Sequence, residues 1–360
     1  MLNKSLELIK KIKDYGFDAY IVGGYVRDYI MGRESTDVDI CTNAKPKDLI
    51  KIFNNAILPK EKYGAVTIMH KNVRYEITTY RRELKYENRR PVEIEYTGEL
   101  LEDINRRDFT INSLCMDYNG NIIDLFDGKK DINKKIIKSL GDASLKFHED
   151  PLRILRAIRF ATVLNFNLDK EVINAIKINA CYLKEISYDR KKMELNKIFS
   201  CKNKKYGFKL INSLNLGEYL DIDISNIKIT SDILGIWAQL NVTNIYPFTK
   251  IEKESISSIL KIVENKTIGK YEIYKYGLYN TSIAAEILGV NKNVIVRLER
   301  NLPIHSKKDI NITTDDIIKL ISKEPGIWLS KLYDDLEMKI VTSKLKNDNE
   351  RIKEYIVKNY

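Results

Sequence analysis

Residues 21–40 have the sequence IVGGYVRDYIMGRESTDVDI, and this stretch decides the fold of the first part of the chain. An apolar strand runs into Gly23 and Gly24, a helix follows, and a second strand contains Asp37 and Asp39. Paired glycines between a strand and a helix let backbone N–H groups approach a phosphate closely. Plain turns also use such glycines, so this feature alone leaves both interpretations open.

Asp37 and Asp39 favour the phosphate interpretation. In a strand, residues two apart point to the same side, so both carboxylates are expected to project together. Like charges this close oppose each other unless a cation neutralises them, and Mg²⁺ prefers oxygen ligands. A solvated edge strand is the alternative. The candidate third carboxylate is Glu76, which shares one face of a predicted strand with Arg74 and Thr78.

The pattern of apolar residues changes once, near residue 140. Before it, short segments with period-two alternation and β-branched residues are typical of strands. After it, apolar residues recur at spacings of three and four, which is typical of helices. The sequence therefore predicts an α+β fold with a sheet-containing head and an all-α remainder.

Composition narrows the classes of function. The 360 residues include 61 Lys and Arg against 50 Asp and Glu, a net charge of +11. This surplus favours a polyanionic partner such as nucleic acid. Hydrophobic residues make up 44%, with only 16 Gly and 7 Pro, which excludes a disordered or collagen-like chain.

The cysteines, histidines and apolar segments indicate a cellular setting. Four cysteines without a C-x-x-C pair predict free thiols in a reducing compartment. Three scattered histidines lack the spacing of a zinc site. Residues 1–16 predict a Lys-rich amphipathic helix rather than a signal peptide, and no segment reaches the roughly 18 apolar residues of a membrane span. We therefore expect a cytoplasmic protein without a membrane partner.

A second motif, HEDPLRILRAIRF, follows the change in pattern. Asp150 suits the cap of a helix and Pro151 its first position. Arginines at a spacing of three lie around one side of this helix, either as a solvated face or as a compact binding edge. These arginines are Arg153, Arg156 and Arg159.

Together the motifs resemble the class II tRNA nucleotidyltransferase and poly(A) polymerase family, which belongs to the DNA polymerase β-like nucleotidyltransferases. G-G-x-V-R-D, D-x-D, E-I-T-T-Y-R and RRDFTINSL at 106–114 carry the resemblance in the head. K-E-P-G-x-W and K-L-K-N near the end resemble the tail of the bacterial CCA-adding members. Residues 81–104 resemble the family's full-length flexible loop, in which RRP at 89–91 suits a mobile segment or a plain hairpin.

The resemblance implies a polymerase β-like head with a mixed sheet, followed by an all-α neck, body and tail. Base recognition and RNA binding would belong to the neck, and tRNA binding to the tail. The expected bounds are 1–138 for the head, 139–203 for the neck, 204–305 for the body and 306–360 for the tail.

The resemblance also assigns site residues. Asp37 and Asp39 would bind Mg²⁺, while Glu76 is a catalytic candidate whose metal contact stays open. The residues expected at the incoming nucleotide are Gly24, Arg27, Arg107, Asp108, Asp150, Arg153, Arg156 and Arg159. The alternative for Arg106, Arg107 and Asp108 is a surface charge cluster.

Two of these assignments suit a ribonucleotide. Asp108 can accept a hydrogen bond from a ribose 2′-hydroxyl. Asp150 and Arg153 would bind the Watson–Crick edge, because a carboxylate accepts from the amino group of cytosine or adenine and a guanidinium donates to their ring acceptors. Uracil and guanine place a carbonyl opposite the carboxylate.

Residues 189–209 hold eight basic and two acidic residues, with Tyr206 and Phe208 between them. This patch suits an RNA backbone, although a solvated helix end is the alternative. Arg190, Glu194 and Lys197 in the same region resemble the family's R-x-x-x-E-x-x-K helix. Glu194 and Lys197 are spaced to pair on one helix face, which favours a structural brace as much as a direct role.

The activity implied by the resemblance is template-free addition of C, C and A to the tRNA 3′ end from CTP and ATP, with Mg²⁺ and release of pyrophosphate. A CC-adding enzyme, an A-adding enzyme and a poly(A) polymerase remain alternatives, and the full-length loop disfavours the first. A non-catalytic RNA-binding protein on the same fold is the rival from another class. The sequence does not predict the oligomeric state.

Overall fold

The computed structural model of the chain describes residues 1–54, 56–57, 64–87 and 90–360. They form two compact units, Met1–Ile222 and Asp223–Tyr360. The first unit begins with a sheet and its helices and continues as helices, and the second is built of helices. The α+β class predicted from the change in pattern near residue 140 is confirmed.

The strands of the described residues are β1 (Ala19–Val22), β2 (Asp39–Thr42), β3 (Ala65–His70), β4 (Val73–Thr79), β5 (Arg81–Glu87), β6 (Arg90–Tyr96), β7 (Cys115–Met116), β8 (Ile122–Ile123), β9 (Ile136–Ile137) and β10 (Asn167–Leu168). The α-helices of the first unit are α1 (Leu2–Asp14), α2 (Gly24–Ile30), α3 (Pro46–Ile52), α4 (Leu100–Asn105), α5 (Gly128–Lys134), α6 (Ala143–Glu149), α7 (Leu152–Leu164), α8 (Lys170–Asn179), α9 (Tyr188–Ser200), α10 (Lys204–Ser213) and α11 (Gly217–Leu220). Those of the second unit are α12 (Ile233–Leu240), α13 (Lys250–Asn265), α14 (Lys270–Leu288), α15 (Lys292–Arg300), α16 (Thr314–Ile321), α17 (Ile327–Val341) and α18 (Asn349–Asn359). Short 3-10 helices span Thr110–Asn112, Ala180–Glu185 and Lys307–Asp309.

A mixed six-stranded sheet forms the head, in the order β3-β4-β2-β1-β7-β8. Only β2 and β4 run parallel to each other, and the remaining neighbours in this sheet are antiparallel. The apolar segment β1 lies between β2 and β7, which explains why Ile21 and Val22 are buried on opposite faces of the sheet. The Lys-rich amphipathic segment at the start is α1, with Leu8, Ile9 and Ile12 in the core.

The segment at 81–104 forms a hairpin of β5 and β6 followed by α4. Its antiparallel register runs from Arg81 opposite Tyr96 to Glu87 opposite Arg90, with an irregularity near Lys85. Of the predicted RRP turn, Arg89 lies outside the described residues. The described backbone corresponds to the hairpin alternative.

Helix α7 begins one residue later than predicted, at Leu152, with Pro151 just before it. Asp150 ends α6 and also accepts a hydrogen bond from the Leu152 amide at 3.2 Å. Asp150 therefore lies at the junction of α6 and α7. It accepts from the amide of Leu152 because Pro151 has no N–H to donate. The buried side of α7 includes Leu155, Ile158 and Ala161, as its helical spacing predicts.

Both aromatic residues that were predicted to line an RNA surface at 189–209 contact other parts of the protein instead. Phe208 is buried and stacks on Phe199, with ring centroids 5.1 Å apart. The Tyr206 hydroxyl donates to the Phe166 carbonyl at 3.2 Å. Lys191 is fully buried as well, with its ammonium over the Tyr188 ring. Packing of α9 and α10 against α7 takes Phe208 and Lys191 into the core, whereas Tyr206 is half-buried, so the prediction is wrong for Phe208 and Lys191.

All four cysteines are free thiols, and Cys41 and Cys115 are buried in strands that flank β1. Within the described ranges, no helix combines the length and apolar character that crossing a membrane requires.

Candidate active site in the first unit

Two acidic side chains stand together at the start of β2. The strand begins at Asp39, so Asp37 and Val38 precede it and the predicted strand is two residues too long. Burial of Val38 and Ile40 nevertheless keeps the alternation, and Asp37 and Asp39 are both exposed. The two carboxylates therefore lie on the side of the chain that faces away from the core.

Glu76 lies on the neighbouring strand, directly opposite Asp39 in the parallel register of β2 and β4. Its own strand alternates, with Tyr75 and Ile77 buried and Glu76 exposed. The predicted exposed face of this strand is thus observed, and it brings a third carboxylate beside the pair.

The electrostatics of Asp39 indicate excess negative charge. The residue is exposed by area, yet protein atoms crowd its carboxyl, and this loss of hydration is the first cause that raises its pKa. Asp37 raises the pKa further, Arg107 opposes the shift, and Glu76 adds to it. A divalent cation would relieve this repulsion.

These carboxylates suit Mg²⁺, whose usual site in phosphoryl transfer combines one or two carboxylates with water and substrate phosphates. Among the described residues, no group of three or more His, Cys, Asp or Glu side chains is arranged to hold a metal ion by itself. The exposed carboxylates of Asp37 and Asp39 fit an ion that takes its remaining ligands from water and a bound nucleotide.

The glycine pair forms the turn from β1 into α2. Gly23 has φ +73°, which glycine adopts without strain, and a side chain there would lie 3.4 Å from Nη1 of Arg107. The Gly23 amide donates to the Leu114 carbonyl at 3.1 Å, so it is not available to a phosphate. Glycine is therefore required here by the backbone conformation, since a side chain beside Arg107 would make only an ordinary contact.

Arg27 is buried, so it does not form an exposed ion pair with Asp28 on the helix surface. Its Nε and Nη2 donate to the Asp28 carboxylate at 2.9–3.0 Å, and its Nη1 donates to Oδ1 of Asn112 at 2.7 Å. The Nδ2 of Asn112 in turn donates to Oδ1 of Asp108 at 3.1 Å. Asn112 therefore connects two residues that the sequence predicts at the nucleotide.

Asp108 accepts hydrogen bonds on both oxygens. The Phe109 amide and Asn112 bind Oδ1, while Nε and Nη2 of Arg156 bind Oδ2 at 2.7 and 2.5 Å. Burial by itself would raise the pKa of Asp108, but the charge of Arg156 and the hydrogen bond from Asn112 outweigh it and lower the pKa to about 2. Asp108 is thus ionised although it is buried, and its burial excludes the interpretation as an ordinary surface cluster.

Asp103 fixes the two arginines that precede Asp108. Its carboxylate is fully buried and accepts from Nε and Nη2 of Arg106 at 2.9 and 2.8 Å and from Nη2 of Arg107 at 3.3 Å. The sequence analysis did not identify Asp103, although its spacing of three and four from these arginines is a usable signal.

Asp150 and Arg153 lie at the start of α7. Nη2 of Arg190 donates to both oxygens of Asp150 at 3.2 and 3.4 Å. Arg153 is buried, and its Nη2 donates to the Arg106 carbonyl at 3.0 Å. In the part of the chain that the structure describes, Nη1 of Arg153 has no hydrogen-bond partner. A buried donor without a partner is costly, which favours a ligand at this atom.

Arg159 pairs with Glu194 of α9 at 3.1 Å. The predicted pair of Glu194 and Lys197 is wrong, because Glu194 turns into the core towards Arg159 while Lys197 is exposed. Arg153 and Arg159 are buried, so the solvated-face interpretation of the arginine series is wrong for both. Glu194 therefore connects α9 to α7 instead of pairing within its own helix.

Three family models match the chain. "Poly A polymerase head domain" matches residues 19–138, "Probable RNA and SrmB- binding site of polymerase A" matches 165–222, and "tRNA nucleotidyltransferase domain 2 putative" matches 244–356. The CCA-adding enzyme of Staphylococcus haemolyticus is 32% identical over 100% of this chain and 98% of that enzyme. The chain belongs to the CCA-adding enzyme family.

Other CCA-adding enzymes agree with this membership. That of Staphylococcus aureus is 30% identical over 99% of this chain and 98% of its own. The crystal structure of the Bacillus stearothermophilus CCA-adding enzyme in complex with CTP superposes with a TM-score of 0.85, at 28% identity over 99% of this chain and 96% of that one. The Thermotoga maritima CCA-adding enzyme complexed with tRNA has a TM-score of 0.72 at 20% identity, with 99% of this chain and 94% of that one covered, and shares the fold.

The family comparison also confirms the type of enzyme predicted from the motifs, a tRNA nucleotidyltransferase. Every predicted site residue lies in the unit Met1–Ile222. Two residues of the site in this CCA-adding family member, Asn112 and Asp103, were not predicted from the sequence. Asn112 stands inside the RRDFTINSL motif, so its position there was an available signal.

Proposed function

We propose that this chain adds C, C and A to the 3′ end of tRNA from CTP and ATP without a nucleic-acid template. The observation that carries the proposal is the buried series of hydrogen bonds from Arg27 through Asn112 and Asp108 to Arg156. It joins the head to α7, so groups suited to triphosphate, ribose and base belong to one packed unit. The transfer reaction itself takes place beside the carboxylates of Asp37 and Asp39 in this proposal.

Asp37 and Asp39 hold Mg²⁺ in this proposal, with Glu76 either as a further ligand or as a support. When bound, Mg²⁺ aligns the tRNA 3′-hydroxyl with the α-phosphate and stabilises charge on the attacking and leaving oxygens. Arg27 and Arg107 bind the triphosphate and orient the pyrophosphate as it leaves. Gly24, at the start of α2, brings the backbone close to the guanidinium of Arg27.

Asp108 selects a ribonucleotide through the 2′-hydroxyl. Because both of its oxygens already accept two hydrogen bonds, the incoming hydroxyl must replace one donor. Arg156 is the donor that moves, since its side chain is about one-third exposed whereas Asn112 is buried. The released guanidinium of Arg156 is then free to bind the nucleotide.

Asp150 and Arg153 select the base. Arg190 holds Asp150 as a carboxylate acceptor for the amino group of cytosine or adenine. The Arg106 carbonyl holds one nitrogen of Arg153, which leaves its Nη1 for a ring acceptor. A uracil or guanine carbonyl would face the Asp150 carboxylate, so one acceptor would oppose another, and an acceptor enclosed in the site without a donor costs about 1–3 kcal/mol.

The tRNA is the acceptor in this proposal. Exposed lysines of the basic patch at 189–209 remain candidates for contacts to the tRNA backbone. They are Lys197, Lys202, Lys205 and Lys209. We keep 1–138 as the head, 139–203 as the neck, 204–305 as the body and 306–360 as the tRNA-binding tail. The free thiols fit a reducing compartment, and we place the protein in the cytoplasm.

The deciding experiment uses a tRNA transcript that ends before CCA and sequencing-gel analysis of the products. CTP alone is expected to add two cytidines, ATP alone nothing, and both together C, C and A. A product limited to two cytidines or to one adenosine would assign a CC-adding or A-adding enzyme, and a long A tract a poly(A) polymerase. Tight tRNA binding with no Mg²⁺-dependent addition would establish the non-catalytic alternative.

Replacement of Asn112 by alanine tests the connection between triphosphate and ribose sites. The change removes hydrogen bonds to Arg27 and Asp108, each worth about 1 kcal/mol, so CTP should bind roughly tenfold more weakly. Discrimination between CTP and dCTP should fall with it. Kd from calorimetry and the ratio of kcat/KM for the two nucleotides measure these effects.

The control is Asn121→Ala, which removes one exposed hydrogen bond to Asp117 in a turn. It should leave both quantities unchanged. A coupling role for Asn112 would be contradicted if the variant and the native protein had the same Kd for CTP and the same ratio of kcat/KM for CTP and dCTP.

A further inference from the structure

Phe160 lies among three of the arginines that the family resemblance assigns to the nucleotide, Arg27, Arg156 and Arg159. The guanidinium carbon of Arg159 is 4.3 Å from the centroid of its ring, that of Arg27 is 5.4 Å away and that of Arg156 is 5.5 Å away. The ring also meets Phe109 edge-on, with centroids 5.8 Å apart and an interplanar angle of 80°. Head and neck residues therefore converge on one half-buried ring.

Each arginine has its own carboxylate. Arg27 pairs with Asp28, Arg156 with Asp108 and Arg159 with Glu194. These pairs hold the arginines on different carboxylates. Arg27 and Arg156 are also connected through Asn112 and Asp108, whereas Arg159 lies outside that series of hydrogen bonds. The contact that all three share is the ring of Phe160.

An aromatic ring attracts cations on its face through its quadrupole, within about 6 Å of the centroid. It carries no net charge, so it holds guanidinium groups together against their mutual repulsion without neutralising them. A fourth carboxylate at this place would pair with the arginines and compete with a triphosphate. A leucine would fill the space without attracting the charges.

We propose that Phe160 is a positioning residue for nucleotide binding, whose ring sets Arg27, Arg156 and Arg159 as one anion-binding surface. The inference rests on the proposed role of these arginines and adds the residue that spaces them. This surface binds the triphosphate and not the base. Binding of CTP and binding of ATP should therefore depend on Phe160 equally.

The test replaces Phe160, one of 10 phenylalanines, with a series of increasingly fluorinated phenylalanines incorporated at that site alone. Fluorine withdraws electron density from the face of the ring and leaves its shape nearly unchanged. Kd for CTP and for ATP should rise stepwise, by about tenfold for the most fluorinated ring, with an unchanged melting temperature. KM should rise more than kcat falls. Phe160→Trp should retain affinity, and Phe160→Leu should lose it.

The matched control is the same fluorination of Phe147, which is fully buried in α6 and, in the described ranges, has no guanidinium over its ring. CTP affinity should not respond there. A Phe160 series with constant CTP affinity, together with a Phe160→Leu variant that loses both affinity and melting temperature, would show that the ring only fills space and would overturn the inference.

Failure of the inference and failure of the proposed function give different results. CTP binding that follows the fluorination series, in a protein that adds nothing to tRNA, would overturn the function and keep the role of Phe160. Normal addition of C, C and A with binding that ignores fluorination would overturn the role of Phe160 alone.

Discussion

Replacement of Asp39 by asparagine is expected to lower the rate of cytidine addition by about a thousandfold. The amide keeps the shape of the side chain but removes the charge that would bind Mg²⁺, and a metal ion supplies several kcal/mol to phosphoryl transfer. Asp37→Asn should act in the same way, because both carboxylates lie on one exposed side of the chain. The measurement is the single-turnover rate at saturating CTP, alongside the Kd for CTP without metal, which should change little.

Glu34→Gln is the matched control, since it removes an exposed carboxylate from the loop that precedes Asp37. It should leave the rate near that of the native protein. Glu76→Gln separates the two roles left open for Glu76. A loss as large as that of Asp39→Asn would make it a ligand, and a smaller loss restored by higher Mg²⁺ would make it a support. Turnover of Asp39→Asn at the native rate would refute the metal assignment.

Replacement of Asp150 by asparagine should change the choice of base. The amide presents a donor as well as an acceptor, so it can pair with the uracil carbonyl that the carboxylate repels. We expect kcat/KM for CTP to fall by roughly ten- to hundredfold and the ratio of UTP to CTP addition to rise. Addition of each nucleotide to a tRNA lacking CCA measures both effects.

Asp142→Asn provides a matched control. Asp142 caps α6 through the amides of Ser144 and Leu145, which resembles the local hydrogen bond of Asp150 to Leu152. This variant should show the same local loss of stability without a change in base preference. If Asp150→Asn kept the native preference for CTP over UTP, Asp150 would be a helix cap and not a contact to the base.

Burial patterns made much of the head predictable from its sequence. Alternation around Val38 and Ile40 placed Asp37 and Asp39 on one side even though the strand begins only at Asp39. The prediction survived an incorrect strand boundary because the side that each residue faces depends on burial of its neighbours. The α+β class followed from the single change of period near residue 140 in the same way.

Long-range partners were not predictable from local spacing. Arg27 and Asn112 are 85 residues apart, and Arg156 and Asp108 are 48 residues apart. Spacing on one helix suggested Lys197 for Glu194, whereas the tertiary partner Arg159 from α7 is better placed for a buried carboxylate. An exposed pair within one helix contributes only about 0.2–0.5 kcal/mol, which tertiary packing easily overrides.

The prediction of an RNA surface with aromatic residues at 189–209 was wrong at Phe208 for a related reason. Composition shows that Tyr206 and Phe208 are near lysines in sequence, but it does not show which side of α10 faces the core. Phe160 shows the converse case, because it lies outside the apolar spacing of Leu155, Ile158 and Ala161, and nothing in the sequence singles it out. Only the fold reveals the three guanidinium groups around it.

The pair of the buried Asp108 and the partly exposed Arg156 limits how this protein can exchange parts with its relatives in evolution or by engineering. A recombination event between α6 and α7 would combine one parent's Asp108 with another parent's Arg156. Where the parents differ, the hybrid would bury an ion without its counter-ion, at about 3–5 kcal/mol, a large share of a typical protein's stability. A crossover just after Leu164 would divide the buried pair of Arg159 and Glu194 in the same way. Viable crossovers are therefore expected outside the segment from Asp108 to Glu194, and substitutions at Asp108 and Arg156 are expected to occur together across lineages.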